Sequence, residues 1–349
     1  MSDRVLFGAE GWAALADLTP GADLREWHLL TDTVVEGQCL PVLFEKVPGL
    51  RGMERTVIKE GEANKTLTTA EHVMSRLLRQ GMSRQGMLVC VGGGMVTDLG
   101  AFVASVYKRG VGHINIPTTL MAQTDAALGG KTAVNIGQVK NAAGTFRWPR
   151  LTVIDREFLK TLPEAEIASG MAEVIKHAII ADADLFGRLE ALGRKLPDEA
   201  TLTASAQVKL RIVAADPHEK GLRKALNFGH TVGHALEGLF SLSGNGGITH
   251  GAAVAAGMRA ECALAAAQGH ITQNELNRIV SLIDTWGDDA CRISVADMPP
   301  LMALMTNDKK NEDDRLNFSL PQGIGNVLTD CWATPGEVMA ALSSTLLRP

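Results

Sequence analysis

Five consecutive apolar residues, Met87-Leu-Val-Cys-Val91, run directly into three glycines, Gly92-Gly-Gly94. A strand without polar alternation needs cover on both faces, as in a parallel sheet layered between helices. Shorter apolar runs at 4–7, 27–30, 56–58, 113–116 and 151–154 read as its companions, with Thr31-Asp32 as a strand exit. Between them, Ala70, Val73, Met74, Leu77 and Leu78 fall at i, i+3, i+4 spacing and predict a helix over 68–78. Strands alternating with helices imply an α/β Rossmann-like domain over 1–155. Beyond it, helical spacing dominates at 167–180, 203–215, 251–267, 273–285 and 299–305, with a weak strand pair at 316–320 and 325–328. A mainly α-helical second domain over 156–349 follows.

Two domains suit 349 residues, and 46% hydrophobic residues suffice for two ordinary cores. A net charge of −5 argues against a nucleic-acid partner, whose footprint is a basic face. No apolar run reaches the ~20 residues of a membrane helix. The five cysteines, Cys39, Cys90, Cys262, Cys291 and Cys331, are scattered, which excludes a C-x-x-C zinc knuckle and argues against a disulfide framework. The opening Met1-Ser-Asp-Arg4 lacks the layout of a secretion signal, so a reducing cytoplasm is expected.

A glycine turn between strand and helix leaves backbone N–H groups open to an anion. The turn is no full G-x-G-x-x-G, because Thr97 stands at the third glycine position, and it lacks a P-loop's Gly-Lys-Ser/Thr. By itself it fits an anion seat or a tight βα connection equally well. Asn227-Phe-Gly-His230-Thr-Val-Gly-His234 sets two histidines at i, i+4, on one helix face, with Thr231 where a zincin has its base. His250 precedes another helix, and Ala172-Glu173-Val-Ile-Lys176-His177 puts charge inside an apolar one. One Glu and two His make an open catalytic zinc site. The alternative is histidines hydrogen-bonded in the interior, although a buried charge is costly unless paired or metal-bound. Lys131 is the lone cation of Ala126-Ala-Leu-Gly-Gly-Lys131-Thr-Ala-Val-Asn135, which calls for an anionic partner such as a ligand phosphate or carboxylate.

In this order, Gly92-Gly-Gly94-Met-Val-Thr-Asp98, Pro117-Thr-Thr-Leu120, Asp125, Gly129-Gly-Lys131-Thr-Ala-Val-Asn135, Lys140-Asn141, the segments around Glu173 and His230, and Asp308-Lys-Lys310 resemble the sugar phosphate cyclases, above all the 3-dehydroquinate synthases. The resemblance runs from about residue 60 to 326. It implies an NAD-binding α/β domain, a helical metal domain and an active site in the cleft between them. It implies zinc, or cobalt, on Glu173, His230 and His250. NAD contacts are implied at Glu62, Lys65, Gly93, Gly94, Asp98, Thr118, Thr119, Lys140, Phe158, Thr161, Leu162 and Glu166. Lys131, Asn141, Asn227, His234 and one of Lys309 and Lys310 would cradle a substrate phosphate. Arg109 would join them from the neighbouring subunit of a homodimer. Lys176 would sit near the metal-held hydroxyls, with Asp125 orienting them, and Lys209 and Arg223 would hold a carboxylate. The implied substrate is 3-deoxy-arabino-heptulosonate 7-phosphate, which undergoes transient oxidation, phosphate elimination, re-reduction and ring closure without net redox change.

Val139 and Ala142-Ala143 depart from the family pattern and bear on the substrate pocket. The rivals are a sister cyclase acting on sedoheptulose 7-phosphate, glucose 6-phosphate or an aminated analogue, and a metal-dependent polyol dehydrogenase that would release NADH. A non-enzymatic metal- or nucleotide-binding regulator leaves Lys131, Lys176 and Arg223 without purpose.

Overall fold

A computed structural model describes residues 4–19, 23–137, 139–242, 247–287, 291–306 and 315–347. The chain divides into two compact units, Met1–Ile167 and Ala168–Pro349. The division falls past 155 because the turn Arg156–Thr161 sends Phe158 into the first unit's core, edge-on to Trp12.

In chain order the first unit has β1 (Val5–Phe7), α1 (Gly8–Asp17), β2 (Trp27–Asp32), α2 (Thr33–Gln38), α3 (Leu40–Lys46), β3 (Glu54–Ile58), α4 (Leu67–Gln80) and β4 (Met87–Gly92). Then come α5 (Gly94–Val106), β5 (Gly112–Pro117), the hairpin β6 (Val134–Ile136) and β7 (Val139–Ala143), and β8 (Leu151–Ile154). Six parallel strands lie in the order β1-β8-β5-β4-β2-β3. Met87, Val89 and Val91 of β4 join Trp12, Leu15, Ile114 and Ile116 in one core. Leu88 and Cys90 join Val73, Leu77, Leu99 and Val103 in the other. Burial on both faces is why the run shows no alternation. Asp32 remains within β2 rather than leaving it, and its carboxylate accepts the Val34 and Val35 N–H groups to start α2. The strand order reverses between β2 and β4, and an open α/β sheet binds ligands at the carboxyl ends of its strands at such a point.

Helix α6 (Glu164–Ala181) leads into the second unit. It is followed by α7 (Ala183–Leu192), α8 (Glu199–Ala215), α9 (His230–Leu242), α10 (His250–Ala267), α11 (Gln273–Trp286) and α12 (Met298–Thr306). The antiparallel pair β9 (Leu316–Pro321) and β10 (Val327–Ala333) precedes α13 (Pro335–Leu346). Helices α7 and α13 were not foreseen from periodicity. Yet α13 carries a start signal, with Thr334 and Glu337 forming a capping box around Pro335. Among the described residues, no helix is long and apolar enough to cross a membrane.

Candidate functional site

Helix α10 meets its neighbours backbone to backbone. A Cβ on Gly257 would lie 2.0 Å from the Gly229 carbonyl oxygen, and one on Gly251 would lie 2.1 Å from that of Ser169. These contacts flank the three acid and imidazole groups of interest. Gly229 precedes His230, Gly251 follows His250, and Ser169 lies one turn before Glu173. Side chains of ordinary length therefore meet. Glu173 Oε1 lies 3.6 Å from His230 Nε2 and 3.4 Å from His250 Nε2. Ligand atoms at about 2.0–2.1 Å from a tetrahedral cation are separated by about 3.3 Å. The observed spacings match that edge.

The tautomers agree with this. His230 Nδ1 lies 3.1 Å from the Phe228 carbonyl, which only accepts, so Nδ1 carries the proton and Nε2 turns its lone pair toward Glu173. Burial, reinforced by the Lys176 charge, holds His230 well below the usual imidazole range. A neutral imidazole facing a carboxylate lone pair to lone pair is repulsive unless a cation lies between them. For His250, burial acts downward, but hydrogen bonds to Glu173 and Glu237 raise it to about 9. Without a metal a proton takes that place. Lys176 Nζ donates to Glu173 Oε2 in a fully buried pair. His177 is engaged elsewhere, 2.9 Å from Ser205 Oγ through Nδ1. The group Glu173, His230 and His250 thus has the spacing, donor set and tautomers of a zinc site.

His234 is exposed, with its ring 5.2 Å from that of His230 and 6.1 Å from that of His250. Lys209 on α8 and Arg223 are buried cations, and Arg223 Nη1 donates to the Pro217 carbonyl at 2.8 Å. Asn227 Nδ2 donates to Glu219 Oε1 at 3.4 Å. Lys309 and Lys310 lie outside the described residues. Glu219, Glu237 and Glu261 escaped the sequence reading. Glu237 could have been found, because it extends the His230/His234 face by three residues.

In the first unit, Lys65 is buried, and its Nζ donates to Asp98 Oδ2 and Asn141 Oδ1, each at 2.6 Å, with Glu62 Oε1 3.7 Å away. Burial pushes Asp98 up to about 6 despite the pull of Lys65. Asn135 ties this group together: its Nδ2 donates to Glu62, and its Oδ1 accepts the Asn141 N–H. Glu62, Lys65 and Asp98 therefore converge, and Asn141, expected at a phosphate, sits with them at φ +53°.

The N-terminus of α5 has no side-chain cap and no acidic residue in its first turn, so its N–H groups remain available to a phosphate. The neighbouring Thr118 N–H donates to the Gly92 carbonyl. A Cβ on Gly93 would come within 3.0 Å of Thr119 Cγ2. Gly93, Gly94, Asp98, Thr118 and Thr119 thus gather at the carboxyl ends of β4 and β5.

The other expected residues come from several segments. Phe158 is core, Lys140 is exposed on β7, and Thr161, Leu162 and Glu166 lie on the approach to and start of α6. Lys131 is exposed. Asp125 is half-buried in the turn Ala122–Ala126. Arg109 is exposed and follows Lys108 in a turn with both residues left-handed, φ +46° and +68°.

The family model described as 3-dehydroquinate synthase N-terminal matches residues 55–169, and that described as 3-dehydroquinate synthase C-terminal matches 170–311. The 3-dehydroquinate synthase of Parabacteroides distasonis is 39% identical over 332 residues, covering 94% of this chain and 93% of its own. That of Alkaliphilus metalliredigens is 38% identical over 324 residues, covering 91% and 89%. Among solved structures, ValA, the 2-epi-5-epi-valiolone synthase of Streptomyces hygroscopicus with NAD+ and Zn2+ bound, superposes with a TM-score of 0.84 at 28% identity, covering 99% of this chain and 97% of its own. With both of its units matched and relatives this similar along nearly their whole length, the chain belongs to the 3-dehydroquinate synthase family.

Proposed function

We propose that the chain converts 3-deoxy-D-arabino-heptulosonate 7-phosphate to 3-dehydroquinate and phosphate, as an NAD- and metal-dependent phosphate-eliminating cyclase. The observation that carries this reading is the tetrahedral-edge spacing of Glu173, His230 and His250. Glu173, His230 and His250 would hold a divalent ion, zinc or cobalt, which would supply Lewis acidity toward a substrate hydroxyl. The α5 N-terminus, Lys65 and Asp98 would hold NAD, which would supply a reversible hydride acceptor.

The chain's own groups do the rest. Lys176, next to Glu173, holds and passes the proton of a substrate hydroxyl, with Asp125 as orienter. Lys209 and Arg223 bind the carboxylate, and their burial strengthens that pairing. Lys131, the Asn141 amide, Asn227, His234 and one of Lys309 and Lys310 bind the phosphate. Positioning both ends of one substrate makes the final ring closure effectively unimolecular. The exposed, left-handed turn at Arg109 suits a side chain held out toward the phosphate of a second protomer, in a homodimer working in the cytoplasm.

A sister cyclase of the ValA kind is the second reading, supported by that structural likeness. Two buried cations for a carboxylate favour the heptulosonate. Phosphate release from the heptulosonate phosphate, measured with NAD and zinc while absorbance is followed at the NADH band, decides. Release without accumulating NADH is expected. Release only from sedoheptulose 7-phosphate would move the chain to the sister cyclases, and accumulating NADH with a simple polyol would make it a dehydrogenase.

A further inference from the structure

Helix α9 presents His230, His234 and Glu237 at i, i+4 and i+7, along one face. Glu237 is 8% exposed, and its Oε2 lies 3.4 Å from Nδ1 of His250, the first residue of α10. On its other side the same imidazole sets Nε2 3.4 Å from Glu173 Oε1. We infer that Glu237 is a positioning residue for the metal ligand His250, taking the Nδ1 proton so that Nε2 becomes the ligand atom and making that nitrogen the stronger donor. The inference rests on the metal reading above.

The two imidazoles are then unequal. His230 gives its Nδ1 proton to a neutral acceptor, the Phe228 carbonyl, whereas His250 gives its own to an anion. An anionic acceptor raises the basicity of a metal-binding imidazole, and such outer partners commonly govern metal affinity. Glu237 acts on His250 and not on His230, because the start of α9 is fixed separately. Glu261 on α10 accepts the Gly229 N–H at 2.6 Å through Oε2 and the Val232 N–H at 3.2 Å through Oε1. The rival role for Glu237 is as a ligand of a second cation with His234 and His250, whose donor atoms also lie within 4.8 Å of one another. That would take His250 Nδ1 as ligand and forbid it a proton.

The test is zinc titration of the metal-stripped full-length chain against a chromophoric chelator, with Glu237→Gln and Glu237→Ala beside the wild type. Glu237→Ala is expected to weaken zinc binding by about 10- to 100-fold. Glu237→Gln, whose amide oxygen still accepts the proton, is expected to lose less than about tenfold. NAD affinity and far-ultraviolet circular dichroism stay unchanged in both. Wild-type zinc affinity in Glu237→Ala would overturn the inference while leaving the metal site standing. Two zinc ions per wild-type chain and one in Glu237→Ala would replace it with the second-cation role. A wild-type chain that binds no zinc would remove it together with the metal reading. Should Glu237→Ala fail to fold, Glu237→Gln decides: a loss of zinc affinity between about twofold and tenfold supports the inference, and wild-type affinity overturns it.

Discussion

In the first unit, the groups suited to a nucleotide come largely from one strand, the turn that follows it and one helix, Met87 to Asp98, with Lys65 reaching in from the loop before α4. In the second, the candidate metal group is drawn from α6, α9 and α10, and it meets where glycine backbones touch. A site built from contiguous chain is set by local backbone geometry. A site built across helices is set by packing, and it inherits the sensitivity of a packed core. The histidines draw the same contrast. His113, on β5, is buried with no hydrogen-bond partner among the described residues for either ring nitrogen, whereas His230 and His250 have their Nδ1 protons placed by acceptors.

The largest expected effect separates the two sites chemically. Glu173→Gln removes the ligand charge, and kcat/KM for phosphate release is expected to fall by at least about a thousandfold, the equivalent of several kcal/mol of transition-state stabilisation. NAD affinity, read by calorimetric titration, stays within about twofold of wild type. Next comes packing. Gly257→Ala drives a methyl group into the Gly229 carbonyl and is expected to cost about 3 kcal/mol or more in urea unfolding, with loss of bound zinc. Retained zinc in a folded Gly257→Ala would show that helix contact does not set the ligand geometry.

Lys65→Met tests the local site. It leaves Asp98 and Asn141 without their shared donor, and NAD binding is expected to weaken by about 10- to 100-fold while zinc affinity is unchanged.

The smallest effect concerns His113. Burial, then the charge of Arg147, lowers its pKa from 6.5 to about 3. A base whose folded pKa is depressed stabilises the fold fully above its unfolded pKa, and that contribution is lost as pH falls from about 6.5 toward 3. Between pH 7 and 5.5 the loss is expected to be about 1 kcal/mol, seen in the urea midpoint. His113→Leu should flatten that slope; an unchanged slope would exonerate this histidine.

The β4 run, the strands beside it and most of the long helices were readable because burial on two faces, or helical spacing on one, leaves a pattern in the residues themselves. Helix α7 was missed, and so was the 134–143 hairpin, whose exposed Ile136 and Val139 break the usual polar–apolar alternation. Lys65 and Asp98 lie far apart in the chain, and only the fold shows that Asn135 and Asn141 complete their group. Glu261 could not have been found from spacing, since a carboxylate inside an apolar helix looks the same whether it caps a neighbour or pairs with a lysine.

The sequence by itself determined which residue types were present for the chemistry and where the parallel sheet begins and ends, because hydrophobic pattern and turn residues act over a few neighbours. Only the tertiary structure decided how closely Glu173, His230 and His250 approach one another, which imidazole nitrogens face Glu173 and which carboxylate stands behind His250. Those choices depend on helix axes brought within backbone contact and on acceptors from distant segments, and no local property of the chain encodes either.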